Sequence, residues 1–227
     1  ENVLQFLLFD EENPNSILSC VSSARESART VREVLPVSVW EQVNRFYLLV
    51  RDASRTRTAI DHPYEFCESV RTASHLMVGV THSSMLRDQA WSFLQIGRFL
   101  ERADKTSRIV DVQYYLLLPD PQDIGTTIDF VRWSSLLRSA DAYTMYRRTW
   151  GRISPEHVAQ FLILNAAFPR SIRYCLAQVT RHLHDLDQTT QRPEGSVSSR
   201  LAMDISQRFI SDRSLGIGKS SFDFFRS

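Results

Sequence analysis

Residues 96–118 read IGRFLERADKTSRIVDVQYYLLL. The stretch has no proline, and it sets Arg98, Glu101, Arg102, Asp104, Lys105, Arg108 and Asp111 on a frame of Phe, Leu, Ile, Val and Tyr. At about 100° per residue, Phe93, Ile96, Phe99, Leu100, Ala103, Ser107, Val110, Tyr114 and Leu117 share one broad face. Arg102 points away from it, Gly97, Glu101, Asp104 and Arg108 run along its edge, and Asp111 returns to the side of Phe93 and Leu100. The spacing predicts one long helix from Trp91 to Leu118.

The rest of the chain carries the same signature. Its 227 residues include only seven glycines, and its eight prolines sit mostly where helices would start; strands joined by tight turns consume Gly and Asn-Gly pairs instead. After Asn13-Pro14, a start signal with proline at the first helical position, Ile17, Cys20, Val21, Ala24, Ala28, Val31 and Leu35 recur at steps of three and four, up to Pro36. A second helix follows, with Ser38 as its cap and Val39, Val43, Phe46, Tyr47 and Val50 as its stripe. Further helices are expected over 64–80 and 129–148, and another opens at Ser154-Pro155. The fold class is therefore all-α, a helical bundle around a long central helix. Residues 1–187 read as one helical domain. Residues 188–227 open on the linker-like QTTQRPEGS and continue as a helical or irregular tail packed on the same domain.

Composition narrows the function classes. A net charge of +1 gives no reason to expect nucleic acid. The longest apolar runs, FYLLV (46–50) and YYLLL (114–118), fall far short of the roughly 20 residues a membrane helix needs, so no membrane partner is expected. Cys20, Cys67 and Cys175 are odd in number and lack CxxC spacing. They argue against a disulfide framework or a zinc site and read as a reducing cytoplasm; no metal or cofactor is expected. Lys105 and Lys219 are the only lysines among 27 basic residues. Arginine forks suit carboxylates and phosphates, although codon bias gives the same count.

The chain also repeats itself. ENVLQFLLFDEENPNSILSC (1–20) aligns without gaps on EHVAQFLILNAAFPRSIRYC (156–175), at an offset of 155. The two share nine of twenty residues, including Gln5/Gln160, Phe6/Phe161, Pro14/Pro169, Ser16/Ser171 and Cys20/Cys175. The expectation is a duplicated helical unit with pseudo-two-fold symmetry. The first copy then begins in mid-unit. A counterpart of the 91–118 helix, with its own Glu-Arg pair, is expected about 54 residues ahead of Glu1 by the same offset. The absent segment would be roughly 80 to 100 residues at ordinary helix and loop sizes. Without it, an open apolar groove or a homodimer that covers it is expected.

The charge cluster supports two readings. In one it is a site, with Glu101, Asp104 and Asp111 holding a cation or acting as acid and base while Arg108 clamps an anion. Gly97 would leave room beside the row for a backbone or a ligand. In the other it is a set of ion pairs that fix how helices dock, drawn from Arg98–Glu101, Glu101–Lys105, Asp104–Arg108 and Arg108–Asp111. A docking row predicts that Glu101→Ala costs a few kcal/mol, because it strands an arginine.

AWSFLQIGRFLERADKTSRIVDV (90–112) resembles the signature of the alpha-E family, bacterial proteins described as a predicted alpha-helical domain with a conserved ER motif. The motif here is Glu101-Arg102. FLLFDEENPNSILSCVSSARESARTVREVL (6–35), LLRSADAYTMYRR (136–148) and FLILNAAFPRSIRYC (161–175) extend the resemblance to about residue 185. It implies company with ATP-grasp-like and transglutaminase-like proteins, and hence a role in peptide or amide-bond metabolism. It carries no catalytic residues over beyond the motif itself.

Other features read as background. GIGKSS (216–221) lacks the first glycine of a phosphate loop, since Arg213 stands there. His182 and His184 are two apart, so they leave opposite sides of a helix and read as surface residues. Cys67 reads as a buried thiol. Trp91, Trp133 and Trp150 read as core anchors. A non-catalytic interaction domain is the leading expectation. An enzyme acting on amide bonds, or a metal- or anion-binding bundle built on the same row, are the alternatives.

Overall fold

The computed structural model describes residues 2–56, 58–116, 127–189, 200–204 and 207. Every ordered element among them is helical. The chain divides into two compact units, residues 1–87 and 88–227.

The first unit holds α1 (Asn2–Phe9), α2 (Ile17–Thr30), a 3-10 turn (Arg32–Val34), α3 (Val37–Ser54), α4 (Thr58–Asp61) and α5 (Pro63–Ser84). The short link makes α2 and α3 antiparallel neighbours. Arg25 of α2 donates to Asn44 Oδ1 at 2.8 Å and lies 4.8 Å over the Tyr47 ring, while Arg32 lies 4.8 Å over Trp40. Leu8, Phe9, Leu18, Val50, Ala59 and Phe66 form the core, with the Phe9 and Phe66 rings 5.4 Å apart. Two start signals move. Ser16, not the residue before Pro14, caps α2, and Pro14 lies in the turn ahead of it. The third helix begins at Val37 with Pro36 in the cap position, so Ser38 lies inside its first turn. The expected stripe of α2 is only half used: Leu18 and Ala28 are buried, whereas Cys20, Ala24 and Val31 face solvent.

The second unit holds α6 (Gln89–Leu116), α7 (Thr127–Ser139), α8 (Tyr143–Thr149), α9 (Pro155–Leu164) and α10 (Ile172–Thr189). The 28 residues of α6 span about 42 Å at 1.5 Å per residue. Along it lies α10, joined through Phe99, Ala103, Cys175 and Val179. Helices α7, α8 and α9 close on Val110 through Trp133, Leu137, Tyr146, Val158, Phe161 and Leu162. Ser154 caps α9 and Pro155 sits in its first turn, as the sequence predicts.

The expected helix over 129–148 is broken. Ala142 N donates to Leu137 O and Asp141 N to Arg138 O, at 2.7 and 2.9 Å. Asp141 has φ 53°. This is the Schellman stop, with aspartate at the left-handed position that glycine usually marks. Beyond the break, buried Tyr146 donates from its hydroxyl to Arg152 O at 2.8 Å and fixes the turn into α9.

The buried face of α6 also differs from the periodic reading. Phe93 and Leu100 are 64% and 48% exposed, and Ser107 is exposed. The inward side runs through Trp91, Ser92, Gln95, Phe99, Ala103, Thr106 and Val110. Polar groups therefore enter the seam, and what they bond is what defines the site. Tyr114 and Leu117 lie outside the described side chains, as does GIGKSS. Of residues 188–227, only 188–189, 200–204 and 207 have described placement.

Candidate functional site

The two segments at offset 155 share several of their turn contacts, while Ser16 Oγ donates to Ser19 Oγ and Ser171 Oγ to Asn165 O. Glu12 N donates to Asp10 Oδ1 at 2.9 Å and Ala167 N to Asn165 Oδ1 at 2.8 Å, an Asx turn closing α1 and α9. Ser16 N reaches Asn13 O and Ser171 N reaches Phe168 O, both at 3.0 Å. Ser16 Oγ accepts from Ser19 N and Ser171 Oγ from Tyr174 N, both at 3.1 Å, capping α2 and α10. Cys20 Sγ lies 3.7 Å from Pro14 O, and Cys175 Sγ 3.6 Å from Pro169 O. Pro14, Ser16, Cys20, Pro169, Ser171 and Cys175 are therefore turn and cap residues. Gln5 and Gln160 are exposed in both places.

The motif arginine docks on the second of these turns. Arg102 is half-buried, and its Nη1 donates to Pro169 O at 3.2 Å. One turn on, buried Thr106 donates from Oγ1 toward Arg170 O at 2.8 Å and its own Arg102 O at 3.0 Å. Together they hold the two carbonyls that precede the Ser171 cap. Arg102 thus faces α10 rather than away from the docked side. The helical wheel misplaced it because the wheel takes its direction from Phe93 and Leu100, which stay in solvent. Burial, and then the charge of Arg170, presses Arg102 below the ordinary arginine range; burial and then Arg102 do the same to Arg98. Arg98 turns to Gln95 Oε1 at 3.4 Å. The Arg102 guanidinium carbon lies over the Phe99 ring, 5.7 Å from its centre.

The remaining motif charges stand in water. Glu101 pairs with Lys105 at 3.2 Å and is 67% exposed; Asp104 pairs with Arg108 at 2.8 Å. Both are pairs within the helix, so among the described residues the row docks no second helix through them. The Arg108 guanidinium holds the Asp104 carboxyl below the usual carboxylate range. Asp111 is exposed. Gly97 meets nothing within 4 Å of where a Cβ would stand, so it hosts no close approach. The sequence expectation for Glu101→Ala is corrected accordingly. An exposed i,i+4 pair contributes about 0.3–0.5 kcal/mol, and thermal denaturation of Glu101→Ala should shift by no more than that.

Thr106 and the carbonyls of Pro169 and Arg170 escape a search for charge. The available signal was a threonine four residues after the motif arginine. Other expectations sort plainly. Cys175 is buried, and burial pushes its thiol up; Cys20 and Cys67 are exposed, so Cys67 is not the buried thiol expected. His182 is mostly buried and stacks 6.4 Å from Phe99, not at the surface, while exposed His184 pairs with Gln188. Trp91 and Trp133 are core residues, and Trp150 stacks on His157 at 4.0 Å. Among the described residues, no three His, Cys, Asp or Glu side chains converge as a metal site. A shallow groove of about 410 Å³ between α3 and α5 is lined by residues including Gln42, Arg45, Phe46, Leu49, Glu68 and Thr72. Among the described residues, no helix is long and apolar enough to cross a membrane.

Uncharacterized proteins of Mycobacterium bovis and Mycobacterium tuberculosis (strain CDC 1551) are each 25% identical to the chain over 202 residues, covering 86% of it and 22% of themselves. A third, from M. tuberculosis strain H37Rv, is 24% identical over the same length. The chain thus spans about a fifth of the curated relatives it matches. No solved structure matches. The family model of Alpha-E, a predicted alpha-helical domain with a conserved ER motif, matches residues 1–215, and the chain belongs to that family.

Proposed function

We propose that this Alpha-E chain is a non-catalytic helical interaction domain, accessory to ATP-grasp-like and transglutaminase-like proteins of a bacterial peptide or amide-bond system. One observation carries the reading. The motif arginine is committed to a backbone turn of its own unit, while the motif carboxylates stand in solvent, paired along their helix. A carboxylate set up as a proton carrier is generally shifted upward by burial or by a like charge. Asp104 is held down instead. Phe93 and Leu100, two turns apart and exposed beside this row, give α6 the apolar and charged surface that a protein partner uses.

The test is sedimentation of the chain with purified ATP-grasp-like and transglutaminase-like proteins of the same organism. A complex with at least one is expected, weakened about tenfold by Phe93→Ser with Leu100→Ser, the loss of a hot-spot-sized contact. Absence of a complex with either, together with an amide-bond activity that disappears in Glu101→Gln, would establish the enzyme reading instead.

A further inference from the structure

We propose that the groove between α3 and α5 binds an N-acylated apolar amino acid ending in a free carboxylate, with the carboxylate on Arg45, the amide on Gln42 and the apolar side chain on the groove floor. The inference does not depend on the accessory role above. Gln42, Arg45, Phe46 and Leu49 stand at i, i+3, i+4 and i+7 of α3 and share one face, and Glu68, Thr72 and Leu76 line the other wall from α5. The volume of about 410 Å³ lies within the roughly 300–1,000 Å³ of small-molecule sites. The floor is firm, because Phe46 and Leu49 pack on the core of Leu8, Val50 and Phe66. An apolar floor with a few placed polar groups is the ordinary composition of such a site.

The polar groups name the ligand. Gln42 is 5% exposed and lines the groove, yet among the described residues its side-chain amide has no hydrogen-bond partner. A buried amide is ordinarily bonded, so this one is set for a group that comes from outside. It offers one acceptor and two donors. An extended amino acid presents its N–H and its C=O to the same side, so the N–H answers Gln42 Oε1 while a carboxylate oxygen answers Nε2. Arg45 stands one turn on, a rise of about 4.5 Å, within reach of the same carboxylate. It is exposed, and among the described residues it makes no ion pair or hydrogen bond. A guanidinium fork suits a carboxylate. Glu68 on the facing wall is already paired with Arg71. It leaves no unneutralised carboxylate for an amine, so an acylated nitrogen fits better than the ammonium of a free amino acid.

The test is calorimetric titration of the chain, at fixed ionic strength, with N-acetyl-leucine, N-acetyl-leucinamide and leucine. N-acetyl-leucine should bind saturably with a Kd on the order of 1 mM. Leucinamide capped in the same way lacks the carboxylate, and leucine lacks the acyl group; each should bind about tenfold more weakly, the size of one charge-assisted contact. Arg45→Met changes an exposed residue, so it should melt with the parent while binding N-acetyl-leucine about tenfold more weakly and N-acetyl-leucinamide unchanged. Gln42→Leu keeps the groove apolar and should weaken both acylated ligands. Acetyl-Ala-Ala-Leu with a free carboxylate separates the two sources of this chemistry: tighter binding assigns the site to the end of a peptide, and weaker binding to the small molecule. No saturable binding of N-acetyl-leucine up to about 10 mM would overturn the proposal. So would equal binding of N-acetyl-leucinamide or leucine, or an Arg45→Met variant that binds like the parent. Self-association that blocks the ligand would overturn it too, by assigning the groove to a second copy.

Discussion

Leu162→Ala is expected to destabilise the second unit by about 3 kcal/mol, whereas Leu7→Ala should cost less than about 0.5 kcal/mol. The two leucines stand at the same place in the two segments that align at an offset of 155, each after the same Gln-Phe pair. Leu162 is fully enclosed among Trp133, Leu136, Leu137, Tyr146 and Phe161, and its truncation leaves a cavity that rigid aromatic neighbours cannot close. Leu7 is half in water, so most of its surface gains nothing from burial to begin with. Phe161→Ala and Phe6→Ala should repeat the contrast, with a loss of about 3–5 kcal/mol confined to Phe161. Urea denaturation followed by tryptophan fluorescence reads both ends, since Trp133 lies beside Leu162 and Trp40 lies on α3 of the first unit. Equal losses at Leu7 and Leu162 would mean that the α1 face is covered in solution.

The helices were legible because their signal is local. Apolar residues at steps of three and four, few glycines, and Ser154-Pro155 at a start all act within one or two turns. What the sequence concealed was decided by partners far along the chain. The wheel placed Phe93 and Leu100 inside and Arg102 outside because hydropathy ranks them so. In the structure Arg102 and Thr106 go inside because carbonyls 67 and 64 residues away accept their protons. A buried polar group is acceptable wherever its hydrogen bond is made, and periodicity carries no record of that. The break between α7 and α8 was hidden in the same way, by an aspartate where glycine is the usual sign. The candidate site was legible as a place but not as a role. Glu101-Arg102 identified the helix, yet the same arginine can clamp a substrate or a backbone turn. Only the position of Pro169 separates the two.

Removing both polar contacts of that turn, in Arg102→Met with Thr106→Val, should lower stability by about 3 kcal/mol, and each single change by about 1–2 kcal/mol. Methionine keeps an unbranched stem of similar length, so the change removes the guanidinium, its bond to Pro169 O and its place over the Phe99 ring. A hydrogen bond from a charged donor contributes about 1.5–3 kcal/mol when buried, and Arg102 lies at the edge of the seam, which places its share near the lower bound. Crowding acts in the opposite direction. Arg102 lies beside both Arg98 and Arg170, so losing its cation relieves those two. At a partly exposed site that relief is well under 1 kcal/mol, too small to reverse the sign. Thr106 is 4% exposed, and valine fills its space while leaving Arg170 O without the donor it has now. At about 2–4 °C per kcal/mol for a chain of this size, the double variant should melt roughly 6–12 °C lower, and Arg102→Lys, with one donor in place of a fork, should fall between. A double variant as stable as the parent would show that α10 is held by Phe99, Ala103 and Val179 alone. The motif arginine would then be free for a role on a ligand or partner, and the accessory reading would lose the observation that carries it.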